Sequence, residues 1–538
     1  MKNNTYDYII VGAGSAGCAL AYRLGADPAV KILVLEAGGR DRSPMIKIPL
    51  TWGLILKNRL YDWGYFTQSE GRMAHREIEC ARGKVIGGSS SINGMAYARG
   101  APEDYDAWAQ DFGLTDWSYD KVLPFFKRSE NWQEGESSQR GGAGPLHVSR
   151  MIYQDPLMEA FLQTTRSLGY PFIEDYNAGC IEGFSHMQTT IHKGKRWSAA
   201  SAYLYPSIAR GNVDVMTHVS VNKVKIKNGR AIGVEVHVKG DTQTFFATQE
   251  VILSAGVINS PQLLMLSGVG EAQALKKQDI RVLVDLPGVG KNLHDHLVCD
   301  VRWKRVGNGP LFDVLRFDRM VIDLLKTAFW GSGLSGQVPA AAVGHVKSHG
   351  SLSLPDLQLI LAAAPMTAGP YLKPFVKPYV DAYALKGVFL TPQSRGEVQL
   401  SDRNPASKPL ILQNFLSHPQ DTQVLREMIK IMRHIGSSGA FSEFSGGEMF
   451  PGPSISTHEE VDAFIAKHAI TLHHPVGTCR MGLESDAWAV LNSNMQVFGV
   501  EGLRVVDGSA LPRIVRGPVN APIMMMAEKV SDHILKGR

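Results

Sequence analysis

The stretch Tyr8–Gly17 reads Tyr-Ile-Ile-Val-Gly-Ala-Gly-Ser-Ala-Gly, a buried-strand pattern that runs directly into three closely spaced glycines. The helical run Cys18–Leu24 follows, and a second apolar strand over Lys31–Leu35 ends at Glu36. This order predicts a Rossmann-like unit in which a pyrophosphate lies against the helix N-terminus. Glu36 stands 24 positions after Gly12 (36 − 12), where a carboxylate can accept hydrogen bonds from two ribose hydroxyls. The unit alone does not separate FAD from NAD.

A second glycine-rich loop lies at Arg82–Gly94, which reads Arg-Gly-Lys-Val-Ile-Gly-Gly-Ser-Ser-Ser-Ile-Asn-Gly. Two adjacent glycines, three hydroxyls and an amide give a loop whose backbone N–H groups are exposed to a ligand. Such a loop can hold a phosphate or the edge of a flavin ring. It is therefore predicted to belong to the cofactor site.

A pair of histidines stands near the start of the stretch Leu472–Gly482, which reads Leu-His-His-Pro-Val-Gly-Thr-Cys-Arg-Met-Gly. His474 begins a rigid Pro-Gly turn, and the free pKa of histidine lies near neutrality, so this residue suits a general base. Asp507 ends a later strand, where it can hold ribityl or phosphate-side hydroxyls. Asn520 stands 46 positions after His474 (520 − 474). Because both precede a proline-pinned bend, we expect His474 and Asn520 at one site.

Composition excludes several classes of protein. The chain has 538 residues, and its formal charge of +5 is spread without a basic block, which argues against nucleic-acid binding. Five scattered cysteines, without Cys-x-x-Cys or cysteine–histidine metal spacing, predict free thiols and no metal site. The N-terminus lacks the apolar core of a signal peptide, and no long apolar run is present, so we expect a cytoplasmic protein. Peripheral membrane contact stays open, but the amphipathic run Met320–Trp330 is interpreted as core packing.

The centre of the chain changes to strand patterns. The runs Val213–Met216, Val219–Lys227, Ala231–Val238 and Thr244–Ala247 predict a small antiparallel meander. The run Val251–Gly256 predicts a separate buried strand that returns to the nucleotide domain. From about residue 300 to 470, strand-like runs mix with helical ones, which predicts a sheet backed by helices. At the end of the chain, a helix is predicted to begin at Ile523.

Together these stretches resemble the glucose–methanol–choline (GMC) family of flavin oxidoreductases, and the resemblance covers the whole chain. The matches, in chain order, are Gly12–Gly17 with Glu36, Arg82–Gly94, Gly256–Gly270, His474–Gly482 and Asp507–Pro522. The third match is imperfect, since Val257 stands where the family usually keeps a smaller residue. The resemblance implies FAD rather than NAD.

The resemblance also implies the architecture. We predict an α/β chain with a Rossmann-like FAD-binding domain, built from discontinuous segments, and an α+β substrate domain whose sheet is backed by helices. The FAD-binding domain is expected to take residues 1–155, 205–300 and 475–538. The substrate domain is expected to take residues 156–204 and 301–474.

Site residues follow from the same resemblance. His474 matches the catalytic histidine, and Asn520 matches a second active-site position, which is His or Asn among members. His473 stands where the family often has an aromatic residue, so it either tunes substrate specificity or fills an aromatic position. Ile92 stands where some members carry a histidine bonded to the flavin, so we expect non-covalent FAD. The implied cofactor-binding residues are Gly12, Gly14, Ser15, Ala16, Glu36, Ala37, Arg82, Gly83, Gly87, Ser89, Asn93, Gly94, Met95, Ala96, Val221, Ala255, Asp507, Gly508, Asn520 and Pro522.

The implied reaction is oxidation of a primary alcohol to the aldehyde by hydride transfer to flavin N5, with His474 as general base. The chain most resembles bacterial alcohol and choline dehydrogenases, so we favour a quinone-type electron acceptor, and the alternative is an oxidase that uses O2. The run Ser335–Val346 has no carboxylate, although members that bind quaternary ammonium place an acid in this neighbourhood. Uncharged aliphatic or aromatic alcohols are therefore favoured over choline. A hydroxynitrile lyase and a non-catalytic flavin-binding protein are further alternatives, and no oligomeric state is indicated.

Overall fold

The computed structural model describes residues 4–537, apart from residues 152 and 239. The strands are β1 (Thr5–Val11), β2 (Ile32–Glu36), β3 (Tyr65–Phe66), β4 (Glu79–Cys80), β5 (Glu130–Trp132), β6 (Leu146–Arg150), β7 (Gly183–His186), β8 (Gln188–Thr189), β9 (Ile191–His192), β10 (Lys195–Arg196), β11 (Val213–Thr217), β12 (Ser220–Lys227), β13 (Arg230–Val238), β14 (Asp241–Leu253), β15 (Val269–Gly270), β16 (Val284–Asp285), β17 (Leu297–Arg305), β18 (Ala340–Val346), β19 (Leu357–Ala362), β20 (Ala382–Phe389), β21 (Glu397–Gln399), β22 (Leu410–Leu412), β23 (Ser445–Phe450), β24 (Ile470–Thr471) and β25 (Leu503–Val505). The α-helices are α1 (Ser15–Leu24), α2 (Pro44–Lys47), α3 (Trp52–Lys57), α4 (Pro102–Asp111), α5 (Tyr119–Ser129), α6 (Pro156–Ser167), α7 (Tyr205–Ile208), α8 (Gly256–Leu266), α9 (Ala272–Lys277), α10 (Pro310–Val314), α11 (Phe317–Trp330), α12 (Pro419–Gly436), α13 (Gly439–Ser442), α14 (His458–His468) and α15 (Asn520–Lys536).

The first sheet has the strand order β11-β2-β1-β14-β13-β12, and β25 lies beside the end of β14. Strands β11, β2, β1, β14 and β25 run parallel, whereas β12 and β13 are antiparallel additions. All of β2 and the second half of β1 are buried, as expected for a parallel sheet covered on both faces. The predicted Rossmann-like architecture is confirmed.

The predicted antiparallel meander is wrong in two respects. Val213–Met216 lies in β11, which pairs in parallel with β2 at the edge of the sheet. Thr244–Ala247 and Val251–Leu253 belong to one strand, β14, which pairs first with β13 and then with β25. No glycine or proline interrupts residues 241–253, so the backbone ladder continues through the polar positions between the two runs. Strand β14 therefore joins the antiparallel ribbon to the parallel sheet.

Two helices begin earlier than the sequence indicates. Helix α1 starts at Ser15 rather than at Cys18, and α15 starts at Asn520 rather than at Ile523, three residues in each case (18 − 15 and 523 − 520). Both early turns are rich in small or polar residues, which carry little of the apolar periodicity used to locate a helix. As a result, Ser15 and Asn520 each stand in the first turn of a helix.

The second sheet is antiparallel, with the order β23-β17-β20-β19-β18-β7, and β24 also pairs with β17. Alternate residues of β17, such as Leu297 and Val301, join a core with Leu425 and Met432 of α12. The residues between them, including Val298, point to the opposite face of the sheet. The predicted sheet backed by helices is confirmed. The face of the sheet opposite the helices, its uncovered face, lines a cavity.

The residue ranges of the two domains stay a prediction. Near their limits, the π-helical turn Ala200–Leu204 packs in the core of the first sheet, with Tyr203 against Tyr22 of α1. Strand β17 of the second sheet begins at Leu297. The chain therefore passes between the two sheets before residue 200 and again before residue 297, close to the predicted limits at residues 204 and 300.

The interpretation of Met320–Trp330 as core packing is wrong. Helix α11 covers this run, but its buried residues are only Asp323 and Thr327. Phe329 and Trp330 are 74% and 75% exposed. In the part of the chain that the structure describes, no helix is long and apolar enough to cross a membrane.

Candidate active site

One large cavity, of about 1230 Å³, lies between the glycine turn of the first sheet and the uncovered face of the second. It brings together most of the residues that the sequence predicts for the site. These are Gly12, Gly14, Ser15, Ala16, Glu36, Ala37, Arg82, Gly83, Ser89, Asn93, Gly94, Met95, Ala96, Val221, Ala255, His473, His474, Asp507, Gly508 and Asn520. Gly87 and Pro522 lie outside the lining. Gly87 instead donates its N–H to the carbonyl of Ala13, and Pro522 is buried in the first turn of α15.

The glycine turn has no room for side chains. Gly12 has φ +105°, and a Cβ there would lie 2.4 Å from the carbonyl oxygen of Ser254. Gly88, in the second glycine-rich loop, has φ +53°, and its Cβ would lie 2.7 Å from the Cα of Gly14. The two loops therefore meet backbone to backbone, and residues of both line the cavity.

Glu36 lies at the end of β2, where its carboxylate closes the glycine turn. Oε2 accepts a hydrogen bond from Ala13 N at 2.9 Å, and Oε1 accepts one from Gly38 N at 2.8 Å. Burial raises the pKa of this carboxyl to about 7, although both hydrogen bonds act in the opposite direction. Each oxygen keeps a further lone pair, so the carboxylate can still accept hydrogen bonds from a ligand diol.

Arg82 places a buried positive charge in the cavity wall. Its Nε and one terminal nitrogen donate to the carbonyls of Ala81 and His473. Within the described residues its guanidinium has no ion pair with a carboxylate. Burial lowers its pKa, an effect that the charge of Asp295 partly opposes. A cation held this way suits an anionic group of a bound cofactor.

His474 lines the cavity and contacts a second histidine behind it. Its Nδ1 lies 3.2 Å from Nδ1 of His296, which is buried at the start of β17. Burial, followed by the neighbouring charges of His296 and Arg82, holds the pKa of His474 well below its usual value. If His474 donates its Nδ1–H to His296, its Nε2 carries a free lone pair. The ring is then a neutral base at physiological pH.

Asp295 fixes the backbone of the histidine turn. Its carboxylate accepts hydrogen bonds from the N–H of His474, at 2.9 Å, and from the hydroxyl of Thr471. Burial raises its pKa to about 6. The sequence patterns described above do not assign the pair Asp295-His296 to the site. The signal that could have identified the pair was an acid and a histidine placed directly before a buried strand.

Asn520 is oriented by the glycine-turn helix. Ser15 Oγ donates to Asn520 Oδ1 at 2.7 Å, and both residues line the cavity. Because the amide oxygen is occupied, its Nδ2 is the group left to donate toward the cavity. A contact between residues 505 positions apart thus sets the direction of this amide.

His473 adopts a left-handed backbone conformation, with φ +63°. Its N–H donates to Thr471 Oγ1 at 2.7 Å, while Nδ1 is buried without a hydrogen-bond partner among the described residues. Burial and the charge of Arg82 lower its pKa to about 3. The ring is therefore a neutral, apolar-like part of the wall, and its role in specificity stays a prediction.

Asp507 lines the cavity and is hydrogen-bonded to the start of α8. Its Oδ2 accepts hydrogen bonds from Gly256 N at 2.9 Å and Ser260 Oγ at 2.6 Å, which fixes the first turn of α8. Its Oδ1 accepts from the N–H and hydroxyl of Ser509. These four hydrogen bonds occupy most of the acceptor positions of Asp507, which the sequence predicted to bind cofactor hydroxyls. Among the described residues, no three histidine, cysteine or acidic side chains stand together as a metal site.

The glycine turn, the buried acid, the neutral histidine and the cavity they share are the arrangement of a dinucleotide-dependent oxidoreductase. FAD fits the lining. The space beside Gly12 and Gly88 admits only backbone, the Arg82 guanidinium has no carboxylate partner among the described residues and could hold an anion, and Glu36 could accept hydrogen bonds from a ribose diol. Ile92 is buried in the cavity wall and offers no nucleophile for a covalent bond to flavin.

Comparison with known proteins supports the same conclusion. Residues 6–298 match the N-terminal GMC oxidoreductase domain, and residues 392–527 match the C-terminal one. The oxygen-dependent choline dehydrogenase of Sinorhizobium medicae (strain WSM419) is 41% identical, over 98% of this chain and 95% of that protein. The protein of the same name from Brucella anthropi is 40% identical over the same shares.

Solved structures share the whole architecture. The pyridoxine 4-oxidase from "Mesorbium loti" superposes with a TM-score of 0.87 at 31% identity, and the alignment covers 99% of each chain. An R554K variant of the formate oxidase of Aspergillus oryzae RIB40 superposes with a TM-score of 0.91 at 27% identity, over 100% of this chain and 99% of that one.

The chain belongs to the GMC oxidoreductase family. It is an FAD-dependent oxidoreductase that acts on alcohols, as the sequence predicted.

Proposed function

We propose that the protein oxidises a primary, uncharged aliphatic or aromatic alcohol to the aldehyde, with His474 as general base and Asn520 as the group that orients the alcohol oxygen. The observation that carries this proposal is the pairing of a neutral, cavity-lining His474 with a buried partner, His296. The amide of Asn520, turned by Ser15, supplies the donor. Both side chains line the same cavity as the glycine turn.

In this proposal the chain positions and deprotonates the alcohol. His474 accepts the hydroxyl proton at the nitrogen that does not contact His296, and positioned general-base catalysis contributes roughly 10²–10⁴-fold. The Asn520 amide donates to the alcohol oxygen as negative charge develops there. Asp295 keeps the histidine turn in place through its bond to the His474 N–H. Bound FAD supplies the hydride acceptor.

The four carboxylates in the cavity wall accept hydrogen bonds from within the protein, and one of them is paired with an arginine. Glu36 and Asp507 are bonded within the cofactor end, as described above. Asp323 accepts from Leu334 N at 2.7 Å and Ser335 N at 2.8 Å. Asp300 accepts from Arg302 Nε at 2.5 Å. Asp300 is thus neutralised by a guanidinium, which supports an uncharged substrate beside it.

Lys386 adds a positive charge to the substrate end. It stands on the cavity face of β20, directly opposite Asp300 of β17, and it lines the cavity. Its Nζ lies 5.8 Å from the ring centroid of Trp52, and it makes no ion pair within the described residues. Burial lowers its pKa. A lysine in this position disfavours a cationic alcohol such as choline.

The proposed electron acceptor is a quinone-type carrier, and O2 is the second candidate. Three apolar side chains that line the cavity, Met320, Leu324 and the exposed Met366, suit an apolar acceptor. The comparisons favour O2, because relatives and structural neighbours are named as oxygen-dependent enzymes or oxidases. We also propose a cytoplasmic location, supported by five free cysteines.

The test is anaerobic mixing of the purified FAD-loaded enzyme with a panel of alcohols, including 1-butanol, benzyl alcohol and choline. Bleaching of the visible flavin band by the uncharged alcohols, and much slower bleaching by choline, is expected. Turnover is then measured with a soluble quinone dye without oxygen, and with oxygen alone while hydrogen peroxide is assayed.

Each outcome distinguishes the alternatives. Fast bleaching by choline would overturn the substrate assignment, and peroxide formation at the rate of dye reduction would overturn the acceptor. Release of an aldehyde from a cyanohydrin without bleaching would indicate a lyase. A flavoprotein that responds to none of these compounds would be a binding protein.

A further inference from the structure

The exposed apolar surface of the protein is concentrated in two segments, α11 and residues 366–380. Of the 22 large hydrophobic side chains that are exposed in the described chain, 11 lie in these two segments. They are Phe317, Val321, Ile322, Leu325, Phe329, Trp330, Met366, Leu372, Phe375, Val376 and Val380. We call this surface the apolar face. Scattered single hydrophobics need no explanation, but a concentration of this kind indicates an interaction site.

The two segments form one surface because their inner sides are packed together. Phe317 N donates to the carbonyl of Tyr371 at 3.0 Å, and Tyr371 is buried with Leu311 and Leu315. On the outer side, Phe317, Val321 and Leu325 follow the spacing of successive helical turns. The aromatic residues at the far end of α11 are 74% and 75% exposed, and Phe375 is 83% exposed. The inner sides of the two segments are therefore packed, and their large apolar side chains are exposed to solvent.

Positive charge surrounds the apolar face. Residues 316–330 and 366–380 together contain five Arg or Lys and two Asp, a net charge of +3 (5 − 2). Both arginines are paired, Arg316 with Asp318 and Arg319 with Asp313. Lys326, Lys373 and Lys377 are exposed and have no ion pair among the described residues. These three lysines remain available for anionic groups.

An apolar groove and the cavity mouth lie next to this face. The groove, of about 440 Å³, runs between α2 and α11, and its wall includes Ile48, Val321 and Leu325. Leu324 lines both this groove and the active-site cavity. Exposed residues of the 366–380 segment, such as Met366, also line the cavity. The mouth of the active site therefore opens beside the apolar face.

We propose that the apolar face docks on a membrane surface that contains anionic phospholipid. Its aromatic and aliphatic side chains enter the boundary between headgroups and acyl chains, and Lys326, Lys373 and Lys377 contact lipid phosphates. A second copy of the chain would bring this positively charged face against itself, so charge disfavours a dimer as the occupant. Docking turns the cavity mouth toward the bilayer, where an apolar alcohol or acceptor is dissolved. The proposal does not depend on which alcohol is oxidised.

The test is co-sedimentation of the full FAD-loaded chain with vesicles. One set contains phosphatidylcholine alone, and the other contains equal parts of phosphatidylcholine and phosphatidylglycerol. Three variants are compared with the parent: Trp330→Ser with Phe375→Ser, Lys373→Glu with Lys377→Glu, and Trp488→Ser. Trp488 is 54% exposed outside the apolar face and serves as the matched control. Reduction of a soluble dye by each variant shows that the active site is intact.

We expect the parent to bind the anionic vesicles and to release from them as salt increases. Each double variant is expected to lose binding by at least about tenfold, while Trp488→Ser binds like the parent and all keep dye reduction. Failure of the parent to bind anionic vesicles would overturn the proposal, as would parent-like binding by both double variants. A dimer of the parent that dissociates in Trp330→Ser with Phe375→Ser would show that a second copy covers this face, and would overturn it as well.

Discussion

The nucleotide end and the alcohol end of the cavity are built by different means. At the nucleotide end the wall is backbone, and a Cβ on Gly12 or Gly88 would collide with backbone atoms at 2.4 and 2.7 Å. At the alcohol end the wall is made of side chains on the uncovered face of the second sheet, such as Val298, Ile360 and Lys386. At Gly12 and Gly88 a single methyl group is therefore excluded, whereas whole side chains can change at the alcohol end. In the proposed function the fold fixes the cofactor, and we expect a few replaceable residues to select the alcohol.

The strongest test of this comparison is Gly12→Ala. The added Cβ would meet the carbonyl oxygen of Ser254, so we expect protein that retains little or no FAD. The matched control is Gly211→Ala, since Gly211 has φ +85° but nothing within 4 Å of its Cβ. That control carries only the backbone strain, about 1–2 kcal/mol. Flavin absorbance and Tm of the purified proteins are measured, and a normal FAD content in Gly12→Ala would contradict the steric argument.

The next effect concerns the base between the two ends. His474→Ala is expected to keep FAD and to lower the rate of flavin reduction by at least about 100-fold, because the general base is lost. His349→Ala, an exposed histidine outside the cavity, is the control. Stopped-flow absorbance under anaerobic conditions gives the rate. Reduction at a near-normal rate in His474→Ala would refute the assignment of this residue.

A smaller effect is expected at the alcohol end, where side chains can change. Lys386→Glu reverses the charge that faces the cavity, so kcat/KM for choline relative to benzyl alcohol is expected to rise by about tenfold. Lys304→Glu changes a lysine on the same strand pair that does not line the cavity. An unchanged ratio in Lys386→Glu, or an equal rise in Lys304→Glu, would remove Lys386 as a determinant of specificity.

The smallest effect concerns stability in acid. Burial lowers the pKa of His345 to about 4, and its Nδ1 has no hydrogen-bond partner within the described residues. Between pH 6.5 and about 4 the unfolded chain binds a proton at this ring that the folded protein excludes, so the free energy of unfolding falls as pH falls. His345→Leu should reduce that slope by up to about 1.4 kcal/mol per pH unit, measured by urea unfolding. His349→Leu should leave the slope unchanged, and equal slopes in all three proteins would contradict the pKa shift.

The same contrast explains what the sequence could predict. The glycine turn, Glu36 and the His474 turn are local patterns. Each can be recognised from residues that are close to one another in the sequence. The contact of His474 with His296, and that of Ser15 with Asn520, join residues 178 and 505 positions apart. Local periodicity contains no information about such contacts, so they were missed.

Helix α11 shows a different limit. Its apolar spacing is that of an amphipathic helix, and the pattern alone does not state whether the apolar side meets the core or the outside. The structure places Met320 and Leu324 toward the cavity and leaves Phe329 and Trp330 exposed. The prediction of an antiparallel meander was wrong for a related reason. The pairing of β11 with β2 depends on the path of the chain and not on the strand pattern itself.

The packing of α1 against α15 has a consequence for synthesis of the protein. Arg23 of α1 pairs with the buried Glu528 of α15 at 2.7 Å, so α1 can meet this partner only after the chain has been translated as far as Glu528, 505 positions later. At about 5–20 residues per second, translation takes roughly half a minute to two minutes. During that interval the nascent glycine-turn helix cannot bury its apolar side against α15. We therefore expect co-expressed chaperones to raise the yield of this protein.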